Sequence, residues 1–307
     1  MRGIILILSV LISLSVFAQQ QPTFTQYYIN DMPINPAISG SKTYNSLTML
    51  TRQQWLGFEG APLSTNISYH GALNNRSAMG GYFMFDKATP SLQANLHLNY
   101  AYHVPLNYDK VNLSFGLGAK LMYYNLDFKP EDLPPGMDPA YSASSFENTL
   151  GDASAGTYLY GRNFYLGFSA SNIFESSFNT AIGSSPTSNK VFKNYYGMGA
   201  YRFYIINKDW QLEPSFLLRK MALHNNVTDL TTRIIYIKDT WGGLTYRTDG
   251  TLAFGFGFAK NNMHFSYSYD HSFAGDIMKY TYGTHEIGIA FRIETASSHR
   301  NIGFGDY

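Results

Sequence analysis

The chain has 307 residues, of which 14% are charged and 16% aromatic, with 27 glycines and 25 tyrosines. Charge this sparse lies well below the roughly 25% of a soluble domain, while a mean hydropathy just below zero excludes a bundle of membrane helices. With no cysteine there can be no disulfide framework, thiolate metal site or thiol catalysis, and 22 basic against 21 acidic residues leaves no positive field for a nucleic acid.

Arg2, the apolar run from Ile4 to Leu14 and the small-residue motif Val16-Phe17-Ala18 read as a secretory signal peptide over residues 1–18. The apolar run falls short of the ~20 residues of a spanning helix, and no cysteine follows to carry a lipid. Residues 19–42 are polar, with an Asn35-Pro36-Ala37 turn, and predict an ordered N-terminal periplasmic arm ahead of the first strand.

From residue 43 the pattern is alternation. Leu92, Ala94, Leu96, Leu98, Tyr100, Tyr102 and Val104 interleave with Ser91, Gln93, Asn95, His97, Asn99, Ala101 and His103. A period of two held over that distance defines a strand. Val111, Leu113, Phe115, Leu117, Ala119, Leu121 and Tyr123 repeat it after a short turn. Shorter runs recur from Leu63, Phe164, Leu252, Met263 and Ile287, with weaker ones near 43–55, 78–87, 193–206, 210–220, 228–238 and 241–248. Residues 128–151 carry Pro130, Pro134, Pro135 and Pro139, too many for a strand, and predict a long loop; 294–307 is a polar tail.

A 13-residue strand is roughly 43 Å long, enough to cross the roughly 25 Å apolar band of an outer membrane even when tilted. At about 20 residues per strand and turn the chain holds about 14 strands (12–16). An exported sandwich also alternates, but it has shorter strands, more charge and no face that stays apolar over its full length. The reading is therefore all-β: a transmembrane antiparallel up-and-down β-barrel over residues 43–293, with lipid outside and Ser, Gly, Asn, His and Tyr within. On that assignment Leu96→Arg or Leu117→Arg costs roughly 2–4 kcal/mol, and Asn95→Arg or Ser114→Arg much less. Tyr100, Tyr102, Tyr123, Tyr124, Tyr195 and Tyr196 suit interfacial girdles or a filled lumen.

No catalytic constellation emerges. The glycine pairs Gly116/Gly118, Gly197/Gly199 and Gly255/Gly257 lack a strand–turn–helix context for phosphate and suit close strand packing. His97 and His103 lie about 20 Å apart along one strand and cannot share a metal. His285 and Glu286 point to opposite faces, so they are no acid–base pair. His264 and Ser266 share a face, but so do many lumen hydroxyls and imidazoles. The expectation is a non-enzymatic protein with no catalytic residues, cofactor or metal.

Several strings, in order, resemble the PorP/SprF family of type IX secretion system membrane proteins of Bacteroidota: Pro22-Thr23-Phe24-Thr25-Gln26-Tyr27, Asn35-Pro36-Ala37 with Gly40, and Arg52-Gln53-Gln54-Trp55 with Gly57-Phe58 and Gly60-Ala61-Pro62. Leu212-Glu213-Pro214-Ser215, Trp241-Gly242-Gly243 with Tyr246-Arg247, Tyr267-Ser268-Tyr269-Asp270 and Gly283-Thr284-His285-Glu286-Ile287 complete the set. The resemblance implies an accessory barrel of type IX secretion that holds or displays a secreted cargo or gliding adhesin through its type B C-terminal signal domain. Its implied partners are outer-membrane lipid, the cargo domain and other secretion components. Trp55, Arg247 and His285 are candidate partner contacts, or turn and girdle residues. The alternative is an outer-membrane diffusion pore or hydrophobic-solute transporter.

Overall fold

In a computed structural model, the structure describes residues 23–106, 110–127, 145–182, 185–205, 209–221, 226–237, 240–274, 277–294 and 303–304. The expected signal segment 1–18 lies outside them, as do most of the 128–151 loop and most of the tail.

Fourteen antiparallel strands form the wall: β1 (Asn45–Gln53), β2 (Leu63–Ala72), β3 (Ser77–Ala88), β4 (Ser91–Leu106), β5 (Val111–Asp127), β6 (Ser145–Gly161) and β7 (Phe164–Ser171), then β8 (Asn194–Tyr201), β9 (Trp210–Met221), β10 (Val227–Tyr236), β11 (Thr240–Arg247), β12 (Thr251–Lys260), β13 (Met263–Ser272) and β14 (Thr284–Ile293). Each pairs with its sequence neighbour, and β1 pairs with β14 from Asn45↔Ile293 to Gln53↔His285, so the sheet closes on itself. Closure pairs the ladder's backbone groups within the chain, which is what hydrocarbon demands. A separate hairpin, Ser177–Ile182 with Ser185–Lys190, stands between β7 and β8. Glu175, at its base, accepts from the Lys190 ammonium at 2.8 Å and from the Lys193 N–H, contacts that hold its carboxyl below the ordinary range.

The alternation is realised residue by residue. On β4, Leu96, Leu98, Tyr100 and Tyr102 are exposed on the outer wall, while Asn95, His97, Asn99 and His103 are buried inside; on β5, Leu117 is 67% exposed and Ser114 fully buried. Consecutive Cβ atoms alternate across a strand, so one register choice fixes both faces at once. The tyrosines divide by the same parity. Tyr100, Tyr102 and Tyr195 face out, whereas Tyr124 is buried with Met122 and Leu150 and Tyr196 packs against the inner core.

Two boundaries differ from the sequence reading. β6 begins at Ser145, within the expected 128–151 loop, because residues 145–151 pair with Leu121–Asp127 of β5. Proline biased the loop estimate, yet the prolines all precede residue 145 and so do not touch the ladder. The arm does not wait below the barrel. Its described residues, from Thr23 onward, run through the lumen until β1 begins.

The barrel's two ends are unequal. One carries the connections 54–62, 89–90, 128–144, 172–193, 222–226, 248–250 and 273–283; the other carries 73–76, 107–110, 162–163, 202–209, 237–239 and 261–262. These are the long-loop end and the short-turn end below.

Candidate functional site

The site is the lumen and the segment that fills it. Tight turns compact the arm: Ile29 N–H donates to the Gln26 carbonyl at 3.0 Å, and Ile34 N–H to the Asp31 carbonyl at 3.0 Å. A single 3₁₀ turn, Pro36–Ile38, follows; its N-cap Asn35 accepts from the Ala37 N–H at 3.0 Å, as a short polar side chain before a proline should.

The turn is pinned to the wall as well as to itself. Asn35 donates to the Thr157 carbonyl at 2.9 Å, Ser114 Oγ to the Ala37 carbonyl at 2.7 Å and Ser169 Oγ to the Ile34 carbonyl at 2.6 Å. Gly116 and Gly156 make this approach possible, since a Cβ on the first would overlap the backbone of Ala37 and on the second the Asn35 side chain. Gly116 is thus spent on the arm rather than on packing strand to strand. His103 bridges the Ser39 carbonyl and the Tyr160 hydroxyl at 2.9 Å each, and Gly40, at φ 65°, donates to His70 Nδ1 at 2.9 Å.

Charge locks the arm's other end. Glu286 of β14 accepts from the backbone N–H groups of Thr25 at 2.6 Å and Gln26 at 3.1 Å, and pairs with Arg52 of β1. Thr25 Oγ1 donates to Asp270 at 2.6 Å and accepts from Arg52 and Arg247 at 3.2 and 3.0 Å. Arg247 in turn shares Asp229 with Arg219. Nearer the short-turn end, Glu213 is shared by Arg202 and Arg233, and the Arg233 guanidinium lies 4.2 Å from the ring centroid of Tyr28. All these charged side chains are buried. Buried ions are costly unless paired and hydrogen-bonded; here the wall residues pair with one another, and the arm adds the hydrogen bonds of Thr25 and Gln26 to that network.

Tyr27, two residues after Thr25, reaches Ser215 and Thr231 with its hydroxyl at 3.0 and 3.2 Å, and its ring joins Tyr158, Tyr165, Met198 and Leu217 in the principal inner core. The occupied lumen revises one cost anticipated from the alternation. Leu117→Arg still places a cation in lipid at roughly 2–4 kcal/mol. Ser114→Arg is expected to cost as much or more, because its side chain meets Ala37 instead of open water. Urea midpoints of the two variants in detergent, each against the unsubstituted protein, measure this. A cost for Ser114→Arg far below that of Leu117→Arg would contradict a filled lumen.

The three candidate contact residues separate. Trp55, at φ 50°, lies in the β1–β2 loop, its N–H on Thr284 Oγ1 at 3.3 Å. His285 faces outward from β14, its Nδ1 2.6 Å from the Tyr267 hydroxyl. These two share the long-loop rim, braced by reciprocal 2.8 Å backbone bonds between Leu56 and the 282–283 segment. Arg247 points inward and is 4% exposed, so its guanidinium serves the chain's own Thr25 and Asp229 and is neither rim nor girdle. The residues that hold the arm, Arg52, Asp270 and Glu286, and the Glu213 and Asp229 carboxylates that fix the arginines beside it, were not candidates at all. Their signal was available: each is an ionisable residue at an inward position of a membrane strand, and such residues are rarely idle. His97 stacks on Tyr82 at 4.0 Å between ring centroids, His264 accepts from the Trp241 indole N–H at 3.2 Å, and among the described residues no group of His, Asp and Glu is placed to hold a metal.

A closed fourteen-stranded sheet, apolar outside and polar within, is an outer-membrane β-barrel. Solved structures agree at the level of fold: the CymD monoaromatic hydrocarbon channel superposes with a TM-score of 0.53 at 11% identity, covering 89% of this chain and 94% of that one. The Pseudomonas putida toluene transporter TodX is similar over 88% of this chain and 92% of its own, at 10% identity and a TM-score of 0.47. No curated protein matches the chain. The profile of the type IX secretion system membrane protein PorP/SprF matches residues 16–291, and the chain belongs to that family.

Proposed function

We propose that this barrel is an accessory component of type IX secretion that holds a secreted cargo or adhesin at the cell surface by its C-terminal signal domain, rather than passing solutes itself. Family membership supports the secretion role. The observation that carries the choice between holding and conducting is the arm, which crosses the lumen and is tied at both ends by buried hydrogen bonds to the wall. Periplasmic turns of such barrels are short and outer loops long, so the long-loop end faces outward and presents Trp55 and His285 with exposed Phe58, Tyr280 and Tyr282. A braced aromatic rim of this kind suits contact with a folded protein domain.

The solute-transport reading has one observation in its favour. An apolar cavity lies between the arm and the wall, lined by Phe24, Tyr82, Met84, Leu217 and Met221, and the CymD channel shares the fold. At about 70 Å³ that cavity is far below the roughly 300 Å³ at which ligand pockets begin. Deleting the gene is expected to strip one surface adhesin while other outer-membrane proteins remain, and the purified protein is expected to show no stable large conductance in planar bilayers. A steady open channel from the intact protein, with surface display unchanged in the deletion strain, would overturn the holding role.

A further inference from the structure

The short-turn end of the lumen opens into a second cavity of about 410 Å³, a volume typical of sites that bind a ligand. Its lining combines the arm's Tyr28 with Tyr44, Trp241, Arg202, Arg233 and Arg292. Cation and ring are interleaved throughout. Arg233 lies over Tyr28 and, at 5.4 Å, over Trp241; Arg292 lies 5.3 Å over Tyr44. Lys42, Arg202, Arg233 and Arg292 face the carboxylates of Asp31 and Glu294 in the lining and of Glu213 behind it, with Lys42 paired to Asp31 and with Arg202 and Arg233 sharing Glu213, so one positive charge is left over. One corner already holds an aromatic ring. Phe304 stands edge-on to Tyr165 at 4.8 Å, with the Arg202 guanidinium 4.7 Å from its centroid.

We propose that this cavity is a docking pocket for an aromatic- and carboxylate-bearing peptide segment of a partner chain, and that Phe304 is the chain's own occupant of one corner. A ring between an aromatic edge and a guanidinium gains both contacts at once, and the one unmatched cation favours an acid close by. The residues after Phe304 in sequence, Gly305-Asp306-Tyr307, have that composition. The inference deepens the secretion role by assigning a partner surface to the short-turn end, and depends on that role only for who the partner is.

The test uses the full-length barrel in detergent and a fluorescein-labelled peptide with the sequence of residues 301–307, read by anisotropy. Phe304→Ala is expected to bind the peptide about tenfold more tightly than the unsubstituted barrel, because the tethered competitor is gone. Replacing the peptide's phenylalanine by alanine, or adding Arg292→Ala to the barrel, is expected to weaken binding at least fivefold. No saturable binding to Phe304→Ala, or binding indifferent to the peptide's phenylalanine, would overturn the pocket. Adhesin display, scored separately in cells, tells the two ideas apart: peptide binding lost with display intact removes only the pocket, and the reverse removes only the holding role.

Discussion

Deletion of residues 23–42 is expected to convert a closed barrel into one that conducts, with stable open-channel steps in planar bilayers where the intact protein gives none. The reasoning rests on what the arm replaces. The wall's ladder is complete without it, since every barrel strand has two neighbours, so the barrel does not need the arm to satisfy its backbone in lipid. What the deletion exposes are inward side chains such as Ser114, His103, Asp270 and Glu286, which water solvates readily. Retention of the heat-modifiable band on an unboiled gel would establish that the variant is folded. Thr25→Lys gives a smaller form of the result with the arm's length unchanged, because a cation at residue 25 meets the Arg52 and Arg247 guanidiniums that Thr25 Oγ1 now accepts from. A folded deletion variant that still fails to conduct would show that something other than the arm seals the lumen.

Asp229→Ala should be among the most destabilising single substitutions on the inner wall, lowering unfolding free energy by about 3–5 kcal/mol. Its carboxylate is shared by Arg219 and Arg247, whose side chains are 4% and 5% exposed. Removing it strands the Arg219 guanidinium in a space with little water and leaves Arg247 only the more distant Asp270, at 3.8 Å, to hold it against Thr25. Asp249→Ala is the matched control. Asp249 is exposed in the turn after β11, where among the described residues its carboxylate accepts only from the Thr251 N–H at 3.0 Å, and its loss should cost no more than ~1 kcal/mol. Urea midpoints of the two variants in detergent, compared at equal slope, make the measurement. Similar midpoints would mean that the inner arginines are wetted, contrary to the burial that the argument uses.

Much of the wall was legible before any coordinates. Leu96 against Asn95 and Leu117 against Ser114 were assigned to opposite faces by parity alone, and the observed exposures follow that assignment. Strand number was legible for the same reason, since strand length and membrane thickness set the residues available per crossing. Arg247 shows where such reading stops. A tyrosine–arginine string beside a turn is compatible with a rim residue, with a girdle or with an inward ion pair. Only the register of β11 against β10, with Asp229 directly opposite Arg247, selects the last. Gly116 shows the same limit: its missing Cβ fits strand packing as well as it fits a turn of arm lying across it.

What the sequence by itself determined is direction: alternation of period two says which side chains look toward lipid and which look inward, because the pleat permits nothing else. What only the tertiary structure decided is company. Arg52 and Glu286 stand 234 residues apart and meet because β1 and β14 close the ring, and Asn35 reaches Thr157 across a lumen that no local pattern encodes. Parity is a property of neighbours along the chain, whereas the contents of a cylinder depend on its closing, and that is why the arm became a plug only in three dimensions.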